Sequence, residues 1–153
     1  MLIVGLDGKG GPSSDLGGVG CTYTEYQTQM SMWCMFASPL AMSHDLLDEN
    51  EATRRILLNK EMIAINQDAL GQQAEYMKSL STGTTNFSKT GYDVYLKDLT
   101  EGRKAVAVVN RGGSGVTPPA LPLSALYMNA TATYMSKDVW SGAEKEISGV
   151  LSV

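Results

Sequence analysis

The sequence has few of the residues on which several common kinds of site depend. Its 153 residues include one histidine and two cysteines, Cys21 and Cys34. A zinc site usually takes four His, Cys or acidic ligands at short spacings, and a disulfide framework takes several cysteine pairs, so neither is expected. Cys34 lies within a helical pattern and is expected to be a small buried side chain. We predict no metal ion and no cofactor.

An excess of positive charge is also absent. The chain carries 12 Lys and Arg residues against 16 Asp and Glu residues, which gives a net charge of −4. The basic residues are scattered rather than clustered, so no nucleic-acid partner is predicted. The longest apolar-rich window, residues 30–42, is interrupted by Ser31, Ser38 and Pro39. It is too short to cross a bilayer, so no membrane partner is predicted. A secreted, a periplasmic and a cytoplasmic location all fit this composition.

The first half of the sequence alternates between strand and helix patterns. Residues 2–4 are short and apolar, which indicates the end of a buried strand, and residues 5–20 form a glycine-rich loop. Residues 40–42 indicate a second short buried strand. Because strands separated by a helix usually run parallel, we expect the two strands to be parallel neighbours.

Helix-start signals precede and follow the second strand. Thr22 and Glu25 have the spacing of a capping box, and Asp48 and Glu51 repeat that spacing further along the chain. The first helix carries an apolar face at the helical period, which comprises Tyr26, Met30, Trp33 and Ala37.

Beyond residue 75 the pattern changes to short strands. Residues 92–96 and 105–109 have strand-like patterns on either side of a turn with Gly102, which predicts a β-hairpin. Residues 116–126 carry three prolines and are expected to be an edge strand or irregular extended chain. Further strands are predicted at residues 131–134, 137–140 and 147–153. The fold class is therefore α/β followed by all-β, with a boundary near residue 75.

Two local patterns near the predicted strands contain residues that occur in known kinds of site. The glycines around Lys9 lack the Lys-Ser/Thr pair and the adjoining helix of a phosphate loop, so a surface loop is the favoured interpretation. Ser43-His44-Asp45 contains the residue types of a hydrolase triad, but triad members converge from separate segments. A corner at a strand end is therefore favoured. If the strand belongs to a barrel, this end faces the active-site mouth, so an indirect role in shaping the site stays open.

Three acids lie near the predicted strand ends, namely Asp7, Asp15 and Asp45. A retaining glycosidase needs two carboxyl groups about 5 to 5.5 Å apart. Asp7 and Asp15 lie in a loop that cannot hold such geometry by itself. We interpret all three acids as structural or solvated.

Several motifs, in the right order, resemble the C-terminal part of glycoside hydrolase family 27, the α-galactosidase or melibiase family. They are residues 25–33 (EYQTQMSMW), 37–40 (ASPL), 59–71 (NKEMIAINQDALG) and 137–142 (KDVWSG). Met1-Leu2 resembles the tail of the family's Asp-Pro-Asp-Met-Leu segment, and the loop of residues 8–21 resembles a longer version in bacterial members. Ala69 stands where a proline is usual, which is expected to loosen one turn.

The resemblance implies the last part of a (β/α)8 TIM barrel over residues 1–75. A C-terminal antiparallel β-sandwich, expected to be incomplete, follows over residues 76–153. It also implies retaining hydrolysis of terminal non-reducing α-D-galactosyl residues from oligosaccharides or glycoconjugates. The family's two catalytic aspartates belong to barrel strands four and six, which have no counterpart here. No catalytic residue is therefore assigned, and the isolated chain is expected to be inactive. Met1 matches a sugar-contacting position, as an apolar wall beside the galactose, and is the predicted substrate-binding residue.

Other functions stay open at this point. Related enzymes act on α-N-acetylgalactosaminides or β-L-arabinopyranosides, and the β half could be a structural module or a non-catalytic carbohydrate-binding module that stacks aromatic rings on sugars. A partial barrel would expose its edges, so self-association through those edges is expected. The face of Tyr26, Met30 and Trp33 is the predicted exposed surface.

Overall fold

The computed structural model describes residues 1–7, 20–82, 91–112 and 120–153. These residues belong to two compact units. The first unit comprises residues 1–73 and 99–103, and the second comprises residues 74–98 and 104–153. The assignment of residues 1–75 to a barrel and residues 76–153 to a sandwich stays a prediction. Most of the glycine-rich loop, with Lys9 and Asp15, lies outside the described residues.

The first unit combines helices with a parallel pairing of two extended segments. Its described helices are α1 (Tyr23–Met35), a 3-10 helix (Leu46–Asp48), α2 (Glu51–Leu57) and α3 (Lys60–Asn66). Leu2 and Met42 form a parallel β-bridge, and the Leu2 N–H donates to the Ala41 carbonyl at 2.7 Å. The predicted parallel neighbours are therefore confirmed, although their pairing is a single bridge rather than a strand ladder.

The start of α1 is set by local hydrogen bonds. The Glu25 N–H donates to the Thr22 hydroxyl oxygen at 3.3 Å, and the Thr22 N–H donates to the Glu25 carboxylate at 2.7 Å. These two bonds satisfy backbone donors that a helix start leaves unpaired. The predicted capping box is confirmed.

The predicted start of the next helix at Asp48 is wrong. Residues 46–48 form the 3-10 helix, and α2 begins after Asn50, whose side-chain oxygen accepts from the Thr53 N–H at 2.8 Å. Asparagine caps a helix as well as aspartate does, so α2 can begin after Asn50 instead of after Asp48. Another asparagine, Asn59, caps α3.

The core of the first unit includes the face of α1 that was expected to be exposed. Its buried apolar residues are Leu2, Val4, Tyr26, Met30, Cys34, Met35, Ile56, Leu57, Met62 and Leu99. Tyr26 and Met30 are only 5% and 1% exposed, because α1 packs against α2 and α3 of the same chain. The prediction of an exposed face there is therefore wrong, whereas the predicted burial of Cys34 is confirmed.

The second unit is built from antiparallel strand pairs. Its strands are β1 (Glu75–Tyr76), β2 (Tyr92–Asp98), β3 (Lys104–Asn110), β4 (Leu121–Pro122), β5 (Thr133–Lys137), β6 (Glu144–Ser148) and β7 (Val150–Leu151). One sheet has the order β1-β2-β3, and the two other pairs are β4 with β7 and β5 with β6. The β2–β3 pairing confirms the predicted hairpin.

Two predicted extended segments of the second unit are extended only in part. Of residues 116–126, residues 116–119 lie outside the described residues and Leu121–Pro122 forms strand β4. Leu123–Leu126 forms a 3-10 helix. Residues 138–141 form a turn, in which the Asp138 carboxylate accepts from the Trp140 N–H at 2.9 Å. Aspartate side chains offer the backbone such local acceptors, and these compete with strand pairing. Most of the strand predicted at residues 137–140 is therefore replaced by this turn.

The core of the second unit is formed by residues of strands β2 and β4 and of the 3-10 helix Leu123–Leu126, together with Met77. Its buried residues are Met77, Tyr92, Val94, Leu96, Leu121, Leu123 and Leu126. β2 lies in the middle of its sheet and also buries the charged residues Asp93 and Lys97, so its two faces are covered. The Asp93 carboxylate accepts from Arg111 at 2.9 Å and from the Tyr76 hydroxyl at 3.2 Å, which satisfies the buried charge.

Candidate functional site

The two parallel segments of the first unit bring two turns to one edge. Since the bridge between Leu2 and Met42 is parallel, the residues that follow each segment leave it at the same end. The Ser43 hydroxyl donates to the Leu2 carbonyl at 2.6 Å and so ties the second turn to the first segment. We call residues 5–7 together with residues 43–45 the strand-end edge.

Asp7 is held firmly at this edge. Its N–H donates to the Tyr26 hydroxyl oxygen at 2.8 Å, and the Tyr26 hydroxyl lies 3.2 Å from the Asp7 carboxylate. The Asn50 side chain donates to the other carboxylate oxygen at 3.5 Å. Burial of the ring is the main reason why the pKa of Tyr26 lies above its ordinary value. The sequence carries no signal for this contact, because Asp7 and Tyr26 are separated by the glycine-rich loop.

Ser43, His44 and Asp45 do not form a triad. The Ser43 hydroxyl donates to a backbone carbonyl, and the Asp45 carboxylate accepts from the Leu47 N–H at 2.9 Å and caps the 3-10 helix. The His44 ring is buried with its Nε2 3.6 Å from the Glu49 carboxylate. Neither ring nitrogen has a hydrogen-bond partner among the described residues. The three side chains have separate surroundings, so the interpretation as a strand-end corner is confirmed.

Met1, the predicted sugar contact, is 71% exposed. Its side chain is therefore accessible, and its role beside a sugar stays a prediction. The acids Asp7 and Asp45 at the strand-end edge are both engaged in the local bonds described above.

A cavity of about 290 Å³ lies within the first unit. It is lined by Leu2, Met30, Leu40, Met42, Leu46, Glu49, Leu57, Leu58, Ile63 and Gln67. Eight of these ten side chains are apolar, whereas a sugar site needs several converging polar groups. We therefore do not assign this cavity to a substrate.

A buried carboxylate follows α3, within the motif that resembles the α-galactosidase signature. Asp68 accepts from the Leu70 N–H at 3.1 Å, from the Thr100 hydroxyl at 2.8 Å and from the Thr100 N–H at 3.0 Å. Arg103 adds an ion pair at 3.5 Å. Burial by itself would raise the pKa of Asp68, but the hydrogen bonds from Leu70 and Thr100 and the charge of Arg103 together lower it.

The lowered pKa of Asp68 predicts a pH-dependent effect of Asp68→Asn. A carboxylate whose folded pKa is depressed stabilises the fold above its ordinary pKa of about 3.9, and this contribution is lost as the pH falls through the folded pKa. The variant should therefore unfold at a lower temperature than the wild type at pH 7. The gap should narrow as the pH falls from 7 to below the ordinary pKa of about 3.9 and towards the lower folded pKa.

Thermal unfolding followed by circular dichroism across this range measures the gap. Arg103→Gln serves as a milder control, because Leu70 and Thr100 still donate to Asp68 in that variant. A gap of constant size from pH 7 to pH 2 would contradict the proposed charge dependence.

Within residues 1–7, 20–82, 91–112 and 120–153, no group of three or more His, Cys, Asp or Glu side chains could hold a metal ion. Within the same ranges, no helix combines the length and the apolar character that crossing a bilayer requires.

The described residues form an α/β unit and a β-rich unit of antiparallel strand pairs. The matches that follow identify this class as the last part of a (β/α)8 barrel with a C-terminal antiparallel β-sandwich. Residues 11–68 match the family described as alpha galactosidase A, and residues 89–153 match the alpha galactosidase C-terminal beta sandwich domain. The chain belongs to the α-galactosidase (melibiase) family, glycoside hydrolase family 27.

Individual relatives extend this comparison. An α-galactosidase of Coffea arabica is 33% identical over 139 residues, which are 90% of this chain and 34% of that protein. Alpha-galactosidase A of Cellvibrio japonicus is 42% identical over 94 residues, 61% of this chain and 21% of that protein. The crystal structure of a candidate α-galactosidase/melibiase from Bacteroides fragilis is 37% identical, with a TM-score of 0.78 over 100% of this chain and 30% of that chain. The chain thus spans about a third or less of the length of these relatives.

Proposed function

We propose that this chain supplies the last part of the catalytic barrel and the β-sandwich of a retaining α-galactosidase. Such an enzyme removes terminal non-reducing α-D-galactosyl residues from oligosaccharides or glycoconjugates. The main support is the parallel bridge between Leu2 and Met42, with Asp7 and Ser43 following at the same end. In (β/α)8 barrels the active site lies at the carboxyl ends of the strands, and family membership suggests the reaction.

In this proposal the strand-end edge shapes the site and the bond-breaking acids come from elsewhere. A retaining mechanism needs a nucleophilic carboxylate and a second carboxyl group that acts as acid and then as base. Asp7 is bonded to Tyr26 and Asn50, and Asp45 caps a 3-10 helix, so both support turns rather than face a sugar. The catalytic pair would then be contributed by other segments of the barrel. Met1, which is exposed, would form an apolar wall beside the galactose.

We expect that the 153-residue chain alone does not hydrolyse p-nitrophenyl α-D-galactopyranoside, because proximity and acid–base catalysis require the missing pair. Fusing the chain behind the upstream part of the Bacteroides fragilis relative should restore hydrolysis. In that chimera, Met1→Ala should raise KM about three- to tenfold through the loss of apolar contact. Release of p-nitrophenol measures the activity of the isolated chain, of the chimera and of the Met1→Ala chimera.

The control in the chimera is Leu47→Ala, since Leu47 is almost fully exposed. It should leave KM unchanged. Turnover by the isolated chain would refute the proposal that other segments of the barrel contribute the catalytic pair. A folded chimera that cleaves another glycoside, but not the α-galactoside, would refute the proposed substrate.

A further inference from the structure

Tyr127 has a backbone conformation that its side chain does not favour. It follows the 3-10 helix Leu123–Leu126 with φ 56° and ψ 33°, in the left-handed region. A bulky residue is strained there, whereas glycine adopts this conformation freely. The Tyr127 N–H donates to the carbonyls of Leu123 and Ser124, which are bonds that a glycine would also make. The turn therefore does not need a tyrosine.

Burial in the core does not explain the tyrosine either, because most of its side chain is exposed to solvent. Tyr127 is 67% exposed, while its neighbours Leu123 and Leu126 are completely buried. Strained residues that the fold itself does not require are typical of binding sites. An exposed aromatic ring held by a short turn offers a contact surface with little conformational freedom to lose.

An ion pair of a lysine and an aspartate lies beside this ring. The Lys104 ammonium lies over the Tyr127 ring, 6.0 Å from its centroid, within the range of a cation–π contact. The same ammonium forms an ion pair with the Asp98 carboxylate. The Lys104 side chain is 15% exposed and the Asp98 side chain is 54% exposed, so the carboxylate is open to a ligand. We call Tyr127, Lys104 and Asp98 the Tyr127 platform; all three belong to the second unit.

We propose that the Tyr127 platform is a carbohydrate-binding site, outside the catalytic site, that holds a galactopyranosyl residue. A pyranose has an apolar face of C–H groups that packs on an aromatic ring, and its hydroxyl groups need both acceptors and donors. Asp98 supplies the acceptor and Lys104 the donor, and hydrogen bonds to charged groups are the stronger kind. The choice of galactose over other sugars rests on the proposed function, whereas the site itself rests on the three residues.

The site is tested by binding to the intact 153-residue chain, so no turnover is involved. Saturation-transfer NMR with methyl α-D-galactopyranoside should show saturable binding with a dissociation constant on the order of 1 mM, as a small contact area allows. Tyr127→Gly should weaken binding at least about tenfold, Asp98→Asn several-fold, and Tyr127→Phe less than about twofold. Tyr23→Ala, which removes a 45% exposed ring of α1, should leave the dissociation constant unchanged.

Thermal unfolding separates a binding role from a packing role. Since glycine relieves the left-handed strain, Tyr127→Gly should unfold at the same or a higher temperature than the wild type while it loses the sugar. A clear fall in its unfolding temperature would show that the ring is kept for packing and would overturn the proposal. Wild-type binding by Tyr127→Gly, or no saturable binding of any pyranoside to the wild type, would also overturn it. Equal binding of methyl α-D-glucopyranoside would overturn only the choice of galactose, which depends on the proposed function.

Discussion

Gly5→Ala is expected to lower the free energy of unfolding of the first unit by about 2–5 kcal/mol. Two costs add up to this value. Gly5 has φ +78°, where an L-residue is disfavoured by roughly 1–2 kcal/mol. A Cβ at Gly5 would also lie 2.4 Å from Cγ2 and 2.8 Å from Oγ1 of Thr53. Because Thr53 is buried in α2, its side chain has little room to move, and overpacking costs about 1–3 kcal/mol.

A matched control isolates the steric cost. Gly71 belongs to the same unit and has φ +61°, but a Cβ there would meet nothing within 4 Å. Gly71→Ala should therefore cost only the conformational part, about 1–2 kcal/mol. Adding Thr53→Ala to Gly5→Ala should recover part of the steric cost, so the two substitutions should be non-additive.

Urea unfolding followed by Trp33 fluorescence measures these effects, because Trp33 lies in α1 of the first unit. The other tryptophan, Trp140, is replaced by phenylalanine in every variant so that one unit is observed. Additive effects of Gly5→Ala and Thr53→Ala, or equal costs for Gly5→Ala and Gly71→Ala, would contradict the predicted clash.

Leu126→Ala should destabilise the second unit by about 2–5 kcal/mol, the usual range for truncating a buried leucine. Leu126 is 0% exposed and lies in the 3-10 helix that contributes two residues to the core. Truncation leaves a cavity that the neighbouring strands can close only partly, so transfer and cavity costs add.

Met135→Ala in β5 of the same unit is the control for this truncation. Met135 is 67% exposed, so its loss should change stability by less than about 0.5 kcal/mol. Trp140 fluorescence in a Trp33→Phe background reports the unfolding of this unit. If Leu126→Ala were as mild as Met135→Ala, the 3-10 helix would not be part of the core.

Several features of this protein could be predicted from residues that are close in sequence. The capping box of Thr22 and Glu25 spans three residues, so its bonds form whenever α1 does. The β2–β3 hairpin likewise joins neighbouring strands through a short turn. The parallel arrangement of Leu2 and Met42 follows from the strand–helix–strand order. Family membership was also predictable, because its motifs are continuous stretches of sequence.

Other features depended on contacts between distant residues. The spacing of Asp48 and Glu51 predicted a cap at Asp48, whereas α2 is capped by Asn50. The face of α1 that carries Tyr26 and Met30 is apolar whether it is exposed or buried. In the structure α1 packs against α2 and α3, which come later in the chain, and this face is buried.

By itself, the sequence determined the order of elements, the local caps and turns, and the family. These depend on backbone geometry and side-chain chemistry within a few residues. Only the tertiary structure decided which polar groups are buried, such as Asp93, and which ring is left exposed in a strained turn, as Tyr127 is. The physical reason is that burial is a property of the whole packed unit, because each surface is covered by elements that are remote along the chain.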